Sequence, residues 1–174
     1  SQELSLIIKL FNSGEKQKAL NKIEILLGSS EESIDLLMLH AKICIDLNDI
    51  YKANLSLSKI LNSNPNNYEA LKLIYINYLT IKKYDLARNY IDKLLIKEKN
   101  NYKILRDKAF LDYLNQNYKS CEKFINKAIL INDKDVFGLN ILGLIYIEKR
   151  ETQKAIDLFK KAISINPNYV DSYN

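Results

Sequence analysis

The side chains that usually perform acid–base, nucleophilic or metal chemistry are scarce in this chain of 174 residues. There is one histidine, His40, and there are two cysteines, Cys44 and Cys121. A structural zinc ion needs four nitrogen or sulfur ligands, so these three residues cannot hold one. We therefore interpret His40 as a packed or half-exposed helix residue, and not as a general base or a metal ligand.

Sites for phosphate and calcium are not indicated either. Phosphate-binding loops concentrate glycines in one short segment, whereas the four glycines here are scattered, at Gly14, Gly28, Gly138 and Gly143. Asp133 and Asp135 could offer carboxylates to calcium, but two aspartates in a turn are more often solvated or cap the next helix. The residue types predict a protein that is not an enzyme and has no catalytic residue, cofactor or metal.

The elements that position these residues follow a fixed period. Small residues recur every 34 positions, at Ala19, Ala53, Ala87, Cys121 and Ala155. Pro65 and Pro167, which both follow an asparagine, lie three such steps apart. A period of this length indicates stacked copies of one supersecondary unit. The copies are the blocks 1–33, 34–67, 68–101, 102–135 and 136–169.

Each block has the pattern of two amphipathic helices, most clearly in the fifth. Its apolar residues recur at steps of three and four, the spacing of one helical face: Leu139, Leu142, Ile145 and Tyr146, then Ala155, Ile156, Phe159, Ala162 and Ile163. Pro167 ends the second helix because proline has no amide proton and disfavours helix in the residue before it. Helices of about 13 residues joined by short turns must pack antiparallel.

The fifth block strongly resembles a tetratricopeptide repeat. The positions that define this family hold Leu139, Leu142, Gly143, Tyr146, Ala155, Phe159, Ala162 and Pro167. Only Leu139 departs from the pattern, since tryptophan is commoner there. The other blocks match less fully but stay in phase, so the resemblance covers essentially the whole chain. It implies an all-α fold, an α-solenoid of antiparallel helix pairs with about ten helices. The chain would then be one domain over residues 1–174, in which residues 170–174 start a truncated sixth repeat or a cap.

The resemblance also implies where a ligand would bind. In this family the first helix of each pair lines the concave face, and side chains one turn apart hold the ligand. Carried over residue by residue, the peptide-binding groove consists of Met38, Lys42, Lys72, Ile76, Leu79, Lys103, Arg106, Phe110, Tyr113, Phe137, Asn140, Leu144 and Ile147. The groove is thus an apolar strip with four cations. The family's clamp for a peptide carboxylate is not expected, because no three consecutive blocks supply its lysine, asparagine and arginine positions.

Charge and cysteine placement limit the partners. The net charge is +5, with its excess in residues 68–135, which favours an acidic ligand. The basic residues do not form the stripe typical of nucleic-acid binding, so no nucleic acid is expected. No apolar run approaches the roughly 18 residues of a membrane span, so no membrane insertion is expected. Cys44 and Cys121 lie in different blocks, too far apart for a disulfide, and unpaired thiols favour a reducing compartment such as the cytoplasm.

These patterns predict a scaffold that binds a peptide or helix of another protein through apolar anchors. Acidic residues of that partner would lie near Lys72, Lys103 and Arg106. Three alternatives remain open. A flanking helix from this chain or another copy could fill the groove, or the chain could be the recruitment arm of a larger enzyme or secretion machine. It could also form a homodimer through the uncapped last helix, where Phe159 and Ile163 would be exposed.

Overall fold

The computed structural model describes residues 2–29 and 32–168. These residues form ten α-helices joined by short turns, and they contain no strand. The helices are α1 (Gln2–Asn12), α2 (Lys16–Ser29), α3 (Ile34–Asp46), α4 (Ile50–Ser63), α5 (Tyr68–Thr80), α6 (Tyr84–Lys97), α7 (Tyr102–Leu114), α8 (Tyr118–Ile131), α9 (Val136–Glu148) and α10 (Thr152–Ile165). The predicted start of a sixth repeat, residues 170–174, lies outside the described residues.

The helices repeat with the period of the sequence. From α3 onwards each first helix has 13 residues, and each second helix has 14. The first helices begin at residues 34, 68, 102 and 136, which are the predicted block boundaries. Polar caps fix some of these starts. For example, the Asn67 side chain accepts a hydrogen bond of 3.0 Å from the Ala70 amide at the start of α5.

Each first helix ends in a turn that contains one residue in the left-handed conformation. These residues are spaced 34 apart and have φ angles between 56° and 85°: Gly14, Asn48, Lys82, Gln116 and Arg150. In each turn the next amide donates to the carbonyl five residues earlier, as from Asn117 to Asp112 at 2.9 Å. This is the Schellman motif, which satisfies the last carbonyls of a helix. The same reversal therefore joins the two helices of every pair, although only the first turn uses glycine.

The small residues that recur every 34 positions lie where helices cross closely. Ala19, Ala53, Ala87, Cys121 and Ala155 are all fully buried. On the first helix of the last pair, a Cβ atom built on Gly143 would lie 2.7 Å from Cζ of Phe159, which is closer than carbon atoms can approach. A larger side chain at such a position would force the helices apart.

The chain forms two compact units, residues 1–90 and 91–174. In the first, one apolar cluster connects α1 to α4, and another, which includes Leu37, Leu57 and Ile74, connects α3, α4 and α5. In the second unit α7 packs on α8, α8 on α9, and α9 on α10. The single domain over residues 1–174 stays a prediction. No helix in the described ranges combines the length and apolar character needed to cross a bilayer.

Candidate protein-interaction surface

All the predicted groove residues lie on first helices, but their exposure differs. The first unit holds Met38 and Lys42 on α3 and Lys72, Ile76 and Leu79 on α5; the second holds Lys103, Arg106, Phe110 and Tyr113 on α7 and Phe137, Asn140, Leu144 and Ile147 on α9. Met38 and Phe110 are buried, with 8% and 9% of their surface exposed. Ile76 and Ile147 are 43% and 44% exposed. That these residues bind a ligand together stays a prediction.

The groove residues of the first unit include one cation that is already paired. The Lys42 Nζ atom lies 2.6 Å from Oε1 of Glu69 at the start of α5. The Lys72 Nζ atom lies 6.0 Å from the centre of the Tyr68 ring, within the range of a weak cation–π contact. Lys72 forms no ion pair with a described residue. Of the two, Lys72 is therefore the better placed to meet an acidic partner.

In the second unit α7 and α9 bring two predicted aromatic residues into contact. The rings of Phe110 and Phe137 lie 5.4 Å apart at an interplanar angle of 59°. The Arg106 guanidinium lies 5.1 Å from the centre of the Phe137 ring. Tilted rings at this separation attract each other, and a guanidinium over a ring face adds a cation–π interaction. These three side chains hold the first helices of two consecutive repeats together.

Two carboxylates surround the Arg106 guanidinium. Its Nη2 atom lies 2.8 Å from Oδ1 of Asp107, and its Nη1 atom lies 3.3 Å from Oδ1 of Asp135. Burial alone would lower the pKa of Arg106, but the two aspartates reverse this and raise it. Burial raises the pKa of Asp135, and the nearby Arg106 partly opposes that rise. One cation among two carboxylates leaves this spot without surplus positive charge, so Arg106 is a poor docking point for an acidic partner.

The sequence predicts Asp135 as a turn or cap residue, and Asp135 does hold the N-cap position of α9, but its pairing with Arg106 is not predicted. Asp135 directly precedes α9, but its side chain forms no cap hydrogen bond and contacts Arg106 instead. Asp135 lies 29 residues after Arg106, five fewer than one repeat of 34. A search for opposite charges about one period apart could have found this pair.

The far end of the α7 and α9 pair is apolar and partly exposed. The Tyr113 ring lies 5.8 Å from the Tyr118 ring at the start of α8. Burial raises the pKa of Tyr113, and the nearby Glu148 carboxylate adds to the rise. Leu144 and Ile147 on α9 keep part of their surface exposed. We use the name α7–α9 surface for Arg106, Phe110, Tyr113, Phe137, Leu144 and Ile147.

His40 lies in a buried polar cluster formed by three helices. Its Nδ1 atom lies 2.7 Å from Oγ of Ser56 on α4, and its Nε2 atom lies 3.8 Å from Oε1 of Glu24 on α2. Burial lowers the pKa of His40, although Glu24 opposes this. A serine, a histidine and a carboxylate in line are the parts of a nucleophilic triad. Ser56 and His40 are both buried, however, so a substrate has no access, and the cluster joins helices.

The two cysteines are buried and remain thiols in the described part of the chain. Burial raises the pKa of Cys44 to about 11 and that of Cys121 to about 12. Because the thiolate is the reactive form, both groups are inert near neutral pH. Among the described residues no three histidine, cysteine or acidic side chains lie close enough together to hold a metal ion.

Comparisons with known proteins agree with this geometry. The tetratricopeptide repeat family model matches residues 136–169. Among solved structures, MamA from Desulfovibrio magneticus RS-1 is similar, with a TM-score of 0.79 and 15% identity over 98% of this chain and 96% of that chain. YrrB, described as a TPR protein with an unusual peptide-binding site, has a TM-score of 0.81 and 14% identity over 96% of this chain and 86% of that chain. No curated protein matches the sequence.

The antiparallel helix pairs and these structural similarities confirm the predicted fold class, an all-α helical-repeat solenoid. The family match confirms the predicted tetratricopeptide repeat at residues 136–169, the fifth block. The ten described helices are consistent with five repeats. At such low identity the similar structures show the fold and carry no information about the ligand of this chain.

Proposed function

We propose that this protein is a non-catalytic scaffold that binds a peptide or helix of a partner protein on its first helices. The α7–α9 surface carries this proposal. Two consecutive first helices pack there through the tilted rings of Phe110 and Phe137. Tyr113, Leu144 and Ile147 on the same helices are at least partly exposed. The same activity would serve an isolated scaffold or the recruitment arm of a larger enzyme or assembly machine.

The anchors of the partner would be apolar. Binding energy in protein interfaces is concentrated in a few residues that fill apolar pockets, and an amphipathic helix can place its apolar face into a groove between helices. Tyr113, Leu144 and Ile147 offer exposed apolar surface for such contacts. Phe110 is largely buried, so its ring packs against the neighbouring side chains and offers little surface to a partner.

Basic side contacts would come from two of the four predicted cations. In the second unit Lys103 on α7 is exposed and forms no ion pair with a described residue. In the first unit Lys72 offers an ammonium to a partner bound on that unit's own first helices. Lys42 and Arg106 already have carboxylate partners. Charges at the edge of an interface mainly affect the association rate. Acidic residues of the partner would therefore speed its binding and make it sensitive to salt.

The test is selection of short random peptides, displayed on phage, against the full chain. We expect the enriched peptides to share apolar or aromatic anchors. Ile147→Asp should weaken the best of them at least about tenfold, because a charge would enter the apolar contact. Ile131→Asp is the matched control, since Ile131 is 50% exposed and lies on the second helix α8. Equal weakening by both variants, or by neither, would reject this surface.

We also propose self-association through α10 as a second candidate. Ile163 on α10 is 62% exposed and Phe159 is partly exposed, whereas Ile125, at the Phe159 position of α8, is fully buried. A second copy covering α10 would bury this apolar face. Sedimentation equilibrium should show a dimer that Ile163→Asp converts to monomer. A wild-type protein that stays monomeric at high concentration would contradict it.

A further inference from the structure

Two exposed aliphatic side chains of the second unit, Ile96 and Leu130, occupy the same position of consecutive repeats and have lysines near them. Leu130 near the end of α8 is 86% exposed, and Ile96 near the end of α6 is 72% exposed. Lys97 and Lys99, which are exposed, follow Ile96 closely in sequence. Lys127 and Lys123 lie three and seven positions before Leu130 and share its face of α8. We call this set of residues the outer stripe: Ile96, Lys97, Lys99, Lys123, Lys127 and Leu130. None of the predicted groove residues belongs to it.

A repeated lysine shows why the outer stripe is positively charged. Lys59, Lys127 and Lys161 occupy the same position of different repeats. Lys59 pairs with Glu32, and the Lys161 Nζ atom lies 3.1 Å from Oδ2 of Asp133 in the turn after α8. The position of Asp133 one repeat earlier is held by Lys99. The carboxylate that would neutralise Lys127 is thus replaced by another ammonium.

The acidic residues of the same helices have partners elsewhere. The Asp92 carboxylate lies 3.2 Å from Nζ of Lys108 on α7, and the Glu122 carboxylate lies 2.7 Å from Nζ of Lys149. The four lysines of the outer stripe form no ion pair with a described residue. Glu98 lies between Lys97 and Lys99 and forms no ion pair with a described residue, so four lysines and one carboxylate leave a surplus of three positive charges around two large aliphatic side chains.

A shallow depression lies at the end of α6, beside Ile96. It has a volume of about 600 Å3, and Lys97, Lys99 and Tyr102 are among the residues that line it. Glu98 also lines it, so two ammonium groups and one carboxylate leave the depression with a net positive charge, which favours a small anionic group. Because Ile96 lies beside the depression, a ligand there would need an apolar group next to its anionic group.

We propose that the outer stripe docks on the surface of an anionic lipid bilayer. Lipid headgroups would meet Lys97, Lys99, Lys123 and Lys127, while Ile96 and Leu130 enter the boundary between headgroups and acyl chains. Anionic bilayers attract lysines near their surface, and exposed aliphatic side chains add binding through apolar burial. The contact is peripheral and needs no spanning helix. It is independent of peptide binding by the first helices.

The composition of the stripe favours a bilayer over an acidic protein. Protein interfaces are enriched in arginine and aromatic residues and depleted in lysine. The stripe has lysine as its only cation and isoleucine and leucine as its only apolar residues. Lysine stems lie along apolar surface while their ammonium groups reach the polar layer, which suits the edge of a bilayer.

The test is flotation of the full chain with vesicles of phosphatidylcholine, either alone or mixed with phosphatidylserine. We expect binding to the mixed vesicles only, and a fall in binding as salt is added. The Ile96→Asn/Leu130→Asn variant should bind at least about tenfold more weakly. The Lys123→Gln/Lys127→Gln variant should lose roughly thirtyfold. All four side chains are exposed, so the variants should fold, and far-ultraviolet circular dichroism checks this.

Ile147→Asn and Lys72→Gln are the matched controls, because they change the same residue types on first helices. Both should leave vesicle binding unchanged. Equal binding to neutral vesicles, no binding to mixed vesicles, or unchanged binding by the Ile96/Leu130 variant would each overturn the proposal. Binding of soluble poly-glutamate to the wild type is a further comparison. If both stripe variants lose this binding as strongly as they lose vesicle binding, the partner is an acidic protein instead. Failure of peptide selection would leave this result unaffected.

Discussion

Arg106 on α7 and Asp135 at the start of α9 are 29 residues apart in sequence, yet their Nη1 and Oδ1 atoms lie 3.3 Å apart. The same guanidinium lies over the ring of Phe137, the second residue of α9. One arginine thus ties a first helix to the start of the next first helix through both charge and ring contact. This link fixes the position of the aromatic part of the α7–α9 surface.

Removing this arginine should destabilise the fold. Arg106→Met would remove the guanidinium from beside the largely buried carboxylates of Asp107 and Asp135. We expect a loss of about 2 to 3 kcal/mol in the free energy of unfolding. Urea denaturation monitored by circular dichroism measures it. Adding Asp135→Asn to Arg106→Met should recover part of the loss, and an additive double variant would show that the two side chains are not coupled.

The His40 cluster should make stability depend on pH. Burial lowers the pKa of His40 in the folded state, so the unfolded chain takes up the proton first as pH falls. The contribution of His40 is therefore complete above its unfolded pKa of about 6.5 and is lost below it. Urea midpoints measured at about pH 7.5 and about pH 5.5 should differ more for the wild type than for His40→Leu/Ser56→Ala. That variant lacks both the titrating group and its hydrogen-bond partner, and equal shifts would contradict the prediction.

The left-handed turn residues offer stabilising substitutions. Gln116 has a φ of 59°, a conformation that costs about 1 to 2 kcal/mol for a residue with a Cβ atom but little for glycine. Gln116→Gly should raise the free energy of unfolding by about 0.5 to 1 kcal/mol after the entropy of glycine is subtracted. Thermal melting detects this gain. The neighbouring Asn115 has a φ of −89°, so Asn115→Gly should give no gain; a gain there would show that the left-handed turn is not the cause.

The close crossing of α9 and α10 should leave no room for one additional methyl group. Gly143→Ala places a Cβ atom against the Phe159 ring, and we expect a loss of about 1 to 3 kcal/mol from overpacking. Denaturant titration measures the loss, which Phe159→Leu should reduce when both changes are combined. Gly28→Ala is the control, because its Cβ would meet no atom of the described residues within 4 Å, apart from its chain neighbours and the backbone of its own helix. It should be neutral or stabilising, since alanine favours helix over glycine.

Much of the fold could be predicted because its main signal is local and repeated. The recurrence of Ala53, Ala87 and Ala155 identified the close crossings, and the apolar spacing identified both helices of each block. The left-handed turns were not predicted, because only Gly14 among the five residues is a glycine. A polar turn that uses Lys82 or Arg150 in this conformation is not distinguishable by residue type from an ordinary turn.

The candidate site was less predictable because its contacts join different repeats. First-helix positions were assigned from the family pattern, but the burial of Phe110 depends on how its ring meets Phe137. The pairing of Arg106 depends on the position of Asp135 in the turn before α9. Because Arg106 is paired there, it is not available to the acidic residues expected on the partner. The sequence predicts His40 as a packed or half-exposed residue, and it is buried. Its partners Ser56 and Glu24 come from two other helices, so local spacing does not predict them.

Most of the ion pairs that join described residues of different repeats are 27 to 30 positions apart, as in Lys42 with Glu69 and Asp133 with Lys161, and Asp92 with Lys108 is 16 apart. Each such pair links one repeat only to the next. A gene that gained or lost a segment coding for one whole repeat would therefore disturb only the pairs at the join. Evolution could change the length of this protein in whole steps while the remaining repeats keep their neighbours.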